Sequence, residues 1–351
     1  NDNVEVAVNP YRDGQLGGIN PVDDGAVPLD ANGSARVRFE DIALPSGAQP
    51  VHFAAYAFNR DRVKSATARA RYERTAVAQG PARAYVIAVG VNEHDSPVWN
   101  LNFAANDARR TSQVLRQRLA ATQRYAETIA IPLLSEGGMR DATKAKIAAV
   151  LAVLAGKPVD AQLQGVPGAD KLKAATPDDL VVIAFSGHGL AGSGGTFYLL
   201  PSDTGASTER RLHEDLRRRA ISTDDLAQWL RAVDAGDIMM LVDACHSAAT
   251  VDSEGFKPGP MGARGLGQLA YDKGIRILAA SQADDVAREV GQLRHGLLTY
   301  ALIKDGIENA QADFRPKDKL IDAAEWLNYG AERVPQLHAQ GNVAGEAARG
   351  A

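Results

Sequence analysis

The sequence holds a single cysteine, Cys245, in 351 residues. An internal disulfide is therefore excluded, and the fold has to rest on its core. It lacks any apolar run approaching the ~20 residues that a membrane span needs. It also lacks an excess of one charge: the formal net charge of −4 is too mild to call for a nucleic-acid or membrane-surface partner. There is no H-E-x-x-H, and one thiol cannot build a zinc finger, so no zinc signature exists. No internal repeat is visible. The chain opens at Asn1 without a signal-peptide pattern and is expected to be a processed or truncated piece of something longer, so its N-terminus assigns no compartment.

What is present is a hydrophobic fraction of 45% over a length that suits one large domain plus a smaller one. Up to about residue 80 the chain alternates apolar and polar residues in "NVEVAVN", "SARVRFEDIAL", "VHFAAYAFN" and "VKSATARARYE". Turn-forming clusters such as "RDGQLGG", "DANG" and "PSGAQP" separate them. Period-two patterning with that punctuation predicts antiparallel strands, and residues 1–78 are read as a small Ig-like β-sandwich. "TAVAQGPA" (75–82) reads as the linker to a second domain, 83–345.

Beyond it the pattern changes. "RAYVIAVGV" (83–91), "ETIAIPLLSE" (127–136), "DLVVIAFSGHG" (179–189), "DIMMLVDAC" (237–245) and "GIRILAAS" (274–281) are continuous apolar runs, as expected of strands buried on both faces. Helical segments lie between or after them: 101–120; 140–157, with Thr143 or Asp141 near its start; 222–233, with Ser222 as N-cap; and 296–308. This alternation predicts an α/β/α sandwich around a mostly parallel sheet. The basic run in "LHEDLRRRA" reads as a solvated loop or helix face.

In open sheets of this kind, ligands bind beyond the carboxyl ends of the strands. The third strand is expected to end in Ser186-Gly187-His188-Gly189, and the fourth in Asp243-Ala244-Cys245-His246. If those strands are neighbours, thiol and imidazole share one edge. A thiol with pKa near ~8.5 is only partly ionised at neutral pH, and an imidazole beside it can take its proton or protonate a leaving amine. The glycines flanking His188 would let the backbone turn sharply, and the amide of Gly187 or Gly189, with that of Cys245, would donate to an oxyanion. His246 is given a structural role.

"VVIAFSGHG" followed by "IMMLVDACHSA" resembles the caspase-like cysteine peptidases (clan CD, family C14), and in particular their metacaspase and bacterial orthocaspase branch. "VIAVGVNEH", "LNFAANDARR", "FYLLPSDT", "AISTDDLAQWL" and "ILAASQADDVAREV…HGLLTYAL" extend the likeness over roughly 83–330. The resemblance implies a caspase-like fold and a Cys245–His188 dyad acting through a thioester. Animal caspases carry Gln two residues before the nucleophile; here that residue is Asp243. By resemblance to metacaspases, Asp243, Asp107 and Ser186 line the pocket for the P1 side chain. An anionic pocket rejects aspartate and suits the guanidinium of Arg or the ammonium of Lys, so cleavage is expected after Arg or Lys, Arg preferred. A carboxylate so near the thiol disfavours the thiolate, and a bound basic side chain would cancel that cost.

The stretch 247–274 is rich in Gly and reads as a loop. Peptidases of this resemblance are often cut there, with Arg264 and Lys257 the candidates, and Arg217–Arg219 a further basic run. No organic cofactor is implied. Calcium activation, frequent in metacaspases, is left open: Asp178-Asp179, Asp224-Asp225 and Asp284-Asp285 are acidic, but none forms an EF-hand loop. Asp284, Asp285 and Glu289 would add negative charge to a cleft wall. The expected partners are a protein substrate with a basic P1 residue and a regulatory partner met through the N-terminal domain. A monomer in a bacterial cytoplasm or periplasm, free of membrane and nucleic acid, completes the expectation. The alternative reading is a catalytically silent caspase-like scaffold or partner-binding module.

Overall fold

The computed structural model describes residues 11–12, 15–16, 29–37, 42–55, 57, 63, 65–76, 80–192, 196–246, 270, 274–280 and 295–349. The expected autoprocessing residues Lys257 and Arg264, the acidic Asp284, Asp285 and Glu289, and the side chains of Cys245 and His246 lie outside the described set.

Before residue 83 the described strands are β1 (Tyr11–Arg12), β2 (Gln15–Leu16), β3 (Val51–Ala55) and β4 (Ala68–Tyr72). They form one antiparallel sheet in the order β2-β1-β3-β4. β3 and β4 fall on the alternating stretches. The described parts of "SARVRFEDIAL" carry no strand, and every residue of β4 is exposed. A second sheet, which a sandwich requires, is not among the described residues. Val51 is buried, and Ala54 packs on the core of the following domain.

The second domain holds β5 (Arg83–Val91), α1 (Ala104–Ala121), β6 (Glu127–Ser135), α2 (Lys144–Leu154), β7 (Leu180–Ala191), β8 (Phe197–Leu199), α3 (Glu214–Arg219), β9 (Ile221–Ser222), α4 (Thr223–Arg231), β10 (Asp237–His246) and β11 (Arg276–Ala280). A helical turn, α5 (Leu297–Thr299), continues as a π-helix over Tyr300–Glu308, and α6 (Ala323–Arg349) follows. β6-β5-β7-β10-β11 is a parallel sheet, extended by antiparallel β8 and β9 beyond the end of β7. The strand order reverses between β5 and β7, which places the switch-point crevice over the carboxyl ends of the central strands.

Strand parity sorts the core into two layers. Ala84, Val86, Leu180, Val182, Met239 and Leu241 face α1, α5 and α6 through Val114, Leu115, Leu298, Leu302 and Trp326. Tyr85, Ile87, Val89, Ile183, Phe185, Met240 and Val242 face α2 and α4 through Ile147, Val150, Leu151, Leu226 and Leu230. The sheet is thus covered on both sides, and this is why its strands read as unbroken apolar runs. Local signals set the helix starts. The Thr143 side chain accepts from Lys146 N and caps α2, whereas Asp141 pairs with the Lys146 ammonium. Ser222 and Asp225 form a capping box on α4. "LHEDLRRRA" holds a helix, α3, that buries Leu216 and exposes its basic face, where Arg218 and Arg219 pair with Asp215.

Two of the acidic pairs have structural occupations. Asp225 also accepts from Lys144, and Asp178 from the Ser46 amide and hydroxyl. Asp179 is wholly buried and ties the starts of β5 and β7 together by accepting from Arg83 N, Arg83 Nη2 and Thr176 N. Removing one member of a buried ionic set leaves the others unpaired, at ~3 kcal/mol or more. Asp179→Ala should therefore lower stability by about 3 kcal/mol, read as a shifted denaturant midpoint at unchanged slope. Asp178→Ala, at an exposed contact, should cost less than ~1 kcal/mol.

Candidate active site

β7 and β10 run side by side in parallel register, pairing Asp243 with Ser186, Ala244 with Gly187, Cys245 with His188 and His246 with Gly189. The expected neighbourhood of Cys245 and His188 is therefore present in the backbone. The strand ends differ from expectation. β7 does not stop at the histidine but runs on to Ala191, where Gly189, Leu190 and Ala191 pair with β8. No sharp turn is made at Gly187 or Gly189. These positions are glycine because aromatic rings lie where a Cβ would be: one on Gly187 would come 2.9 Å from the Phe185 ring, and one on Gly189 would come 2.2 Å from that of Phe197. Gly189, expected at the oxyanion, sits in the ladder between Leu199 and His246.

His188 is 2% exposed. Its Nε2–H donates to the Trp99 carbonyl at 2.8 Å. A carbonyl can only accept, so this bond fixes the tautomer and leaves Nδ1 as the basic nitrogen. Nδ1 is buried and has no hydrogen-bond partner among the described residues. Burial pushes the ring down to about 4; the Trp99 bond works upward and the charge of Arg210 slightly downward. His188 is therefore neutral at pH 7, with Nδ1 unprotonated, and its burial makes it a weaker base than a solvated imidazole. Trp99 packs its edge on His188 with centroids 5.5 Å apart, and Arg210 lies over the Trp99 ring at 5.5 Å. The short 3-10 turn Pro97–Trp99, with Pro97 opening it, presents that carbonyl.

Sequence reasoning missed Trp99. A carbonyl belongs to every residue, and only the proline-initiated turn marks the spot. It also missed His94, a buried ring 5.7 Å from that of His188 and pushed down to about 3 by burial and then by His188.

Ser186, Asp243 and Asp107 all lie on the α1/α5 side of the rim. Ser186 is buried in register with Asp243. The Asp243 carboxyl is pushed up by burial, opposed by bonds from Thr299 N and Oγ1, each 2.9 Å from its Oδ2. Asp107, in the first turn of α1, is pushed up to about 6. Burial is the largest cause; the bond from His295 opposes it, and Asp243 adds to it. Its Oδ1 accepts from His295 Nδ1 at 2.6 Å and its Oδ2 from Gly296 N at 2.8 Å. His295 and Gly296, ahead of α5, and Thr299, at its end, thus engage the two carboxylates, which the sequence reading did not foresee. Gly296 admits no side chain, since a Cβ there would meet Asp243 Oδ2 at 2.4 Å. Beneath Ser186 and Asp243 the cavity lined also by Thr111, Leu298 and Thr299 measures about 10 Å³, too little for a side chain. Among the described residues, no group of three or more His, Cys, Asp or Glu is placed to hold a metal ion, and no helix is long and apolar enough to cross a membrane.

These shifts act on stability with opposite signs. His188 titrates near 4 when folded and near 6.5 otherwise, so the unfolded chain holds the extra proton in that window. Stability then falls as pH drops from 6.5 towards 4, by up to ~1.4 kcal/mol per pH unit for each such ring. Asp107 opposes this: its stabilisation is complete below 3.8 and is lost as pH rises through about 6. Asp107→Asn should therefore steepen the acid-side loss, measured as denaturant midpoint against pH from 7 to 4; an unchanged profile would show that Asp107 titrates as an ordinary carboxylate.

Comparison with protein families matches residues 83–339 to the caspase domain, Peptidase C14. No curated protein matches the chain. The matched span runs from the first residue of β5 into α6 and so takes in the whole parallel sheet with the paired ends of β7 and β10. The chain belongs to the caspase-domain family of cysteine peptidases.

Proposed function

We propose that this chain is a cysteine endopeptidase that cleaves proteins after Arg, and less readily after Lys, through a Cys245–His188 dyad. The observation that carries the reading is the β7–β10 register, which sets Cys245 beside His188 and, two residues earlier on the same strands, Asp243 beside Ser186. His188 Nδ1 takes the thiol proton as sulfur attacks the scissile carbonyl. The tetrahedral oxyanion is met by the amide of Cys245. Its collapse breaks the C–N bond, and His188 returns the proton to the leaving amine. Water, deprotonated by His188, then hydrolyses the thioester and frees the thiol. Nothing in this sequence of steps uses an organic cofactor.

The P1 preference is supported by two acids on one rim, both with raised pKa. A guanidinium between them would restore their ionised forms and gain charge-assisted bonds; a substrate aspartate would add a third negative charge. Self-cleavage at Arg264 or Lys257 follows from the same preference, and added calcium or chelator in the assay reads activation by that ion.

The test is a panel of fluorogenic peptides with Arg, Lys, Gln or Asp at P1. Turnover of Arg above Lys, none of Asp, and loss of all turnover in Cys245→Ala is the expected result. His188→Ala should lower kcat by at least ~10³-fold. Chain fragments cut after Arg264 or Lys257 should be absent from Cys245→Ala. Turnover of Asp substrates, or activity surviving in Cys245→Ala, would overturn the proposal; silence on every peptide would favour a catalytically silent scaffold.

A further inference from the structure

Both oxygens of Asp107 are already bonded from within the chain. Gly296 N is backbone and holds Oδ2 at 2.8 Å. The other donor is a side chain: the His295 ring, 21% exposed, whose Nδ1 reaches Oδ1 at 2.6 Å. Across the rim, Asp243 Oδ2 accepts from Thr299 N and Oγ1. A guanidinium paired with a carboxylate through two parallel bonds needs both oxygens of one carboxylate on the same side. At Asp107 one of the two is covered by His295. Of the donors there, only the ring can leave without unravelling backbone, and its partial exposure gives it somewhere to go.

We propose that His295 is a specificity-determining residue of this enzyme: it occupies the Asp107 end of the P1 subsite as an internal stand-in for the substrate's basic group, and a basic P1 side chain binds by displacing it. The inference rests on the basic-P1 reading above and deepens it. The exchange is one donor for another on a buried carboxylate. A neutral P1 side chain offers at most an uncharged donor in place of the bond it would break, so His295 holds the subsite against it. Arg can replace that bond and add a second. His295 therefore lowers affinity for basic residues somewhat while raising discrimination against neutral ones.

The experiment uses the full chain with Cys245→Ala, so that nothing is cut, and titrates it calorimetrically with two peptides that differ only in Arg or Gln at P1. In the Cys245→Ala/His295→Ala protein the Arg peptide should bind about tenfold to a hundredfold tighter, the value of one hydrogen bond to a charged group. The Gln peptide should gain more than the Arg peptide, so that the Arg-to-Gln ratio falls; an unchanged ratio would overturn the specificity role. His295→Asn, which keeps an uncharged donor toward Asp107, is the second variant should the first fail to fold. It should bind the Arg peptide more tightly than the Cys245→Ala protein and less tightly than the His295→Ala variant. Arg binding that is unchanged or weaker in both variants, with Arg still preferred over Gln, would overturn the displacement while leaving the basic-P1 reading intact. Equal binding of Arg and Gln peptides to the protein that retains His295 would instead overturn that reading, and this inference with it.

Discussion

The parallel pairing of β7 with β10 is the constraint on which the rest depends. Side chains alternate along a strand, so a slip of one residue by either strand would send its own residue, Ser186 or Asp243, from the α1 side of the sheet to the α2 side and part the two. The register is held by apolar parity over the whole length of both strands: Val181, Ile183 and Phe185 on one side, and Leu180, Val182 and Ala184 on the other. It is held further along by β8, which extends the sheet past the histidine. Chemistry at the strand ends is thus positioned by a core that does none of it.

Electrostatics at this rim are finely opposed. One carboxylate at ~8 Å from a thiolate costs ~2 kcal/mol at an effective dielectric of ~20, and two acids lie on the same side of the sheet. The chain limits that cost in three ways. The acids hold their protons more tightly than usual. Donors from His295, Gly296 and Thr299 share their charge. His188 stays neutral, so that in the proposed dyad its ring begins as a neutral imidazole. In the proposed mechanism a substrate cation takes over from the internal donors and ionises the acids at the moment when the thiol must react.

Much of this was legible in the sequence because it follows from periodicity and residue type. Continuous apolar runs marked all five parallel strands, and Thr143 and Ser222 marked two helix starts. Cys, His and Asp at strand ends marked the rim. What was not legible has physical reasons. The glycines around His188 looked like turn residues, but they make room for Phe185 and Phe197, and contacts between distant residues leave no local pattern. The Trp99 carbonyl that fixes the His188 tautomer has no side-chain signature. His295 precedes a helix by two residues and gives no sign that its partner is Asp107, 188 residues away. Before residue 80 the alternation correctly marked β3 and β4, but alternation alone does not say how many sheets are formed.

The central claim is that Cys245, assisted by His188, is a nucleophile directed at the carbonyl that follows a basic side chain. The most direct measurement is mass-spectrometric mapping of the full chain after exposure to peptidyl chloromethyl ketones that carry Arg or Asp at P1. The account predicts a single adduct on Cys245 with the Arg reagent, formed much more slowly in His188→Ala and absent with the Asp reagent. Equal labelling by both reagents, or labelling of Cys245 that does not depend on His188, would contradict it.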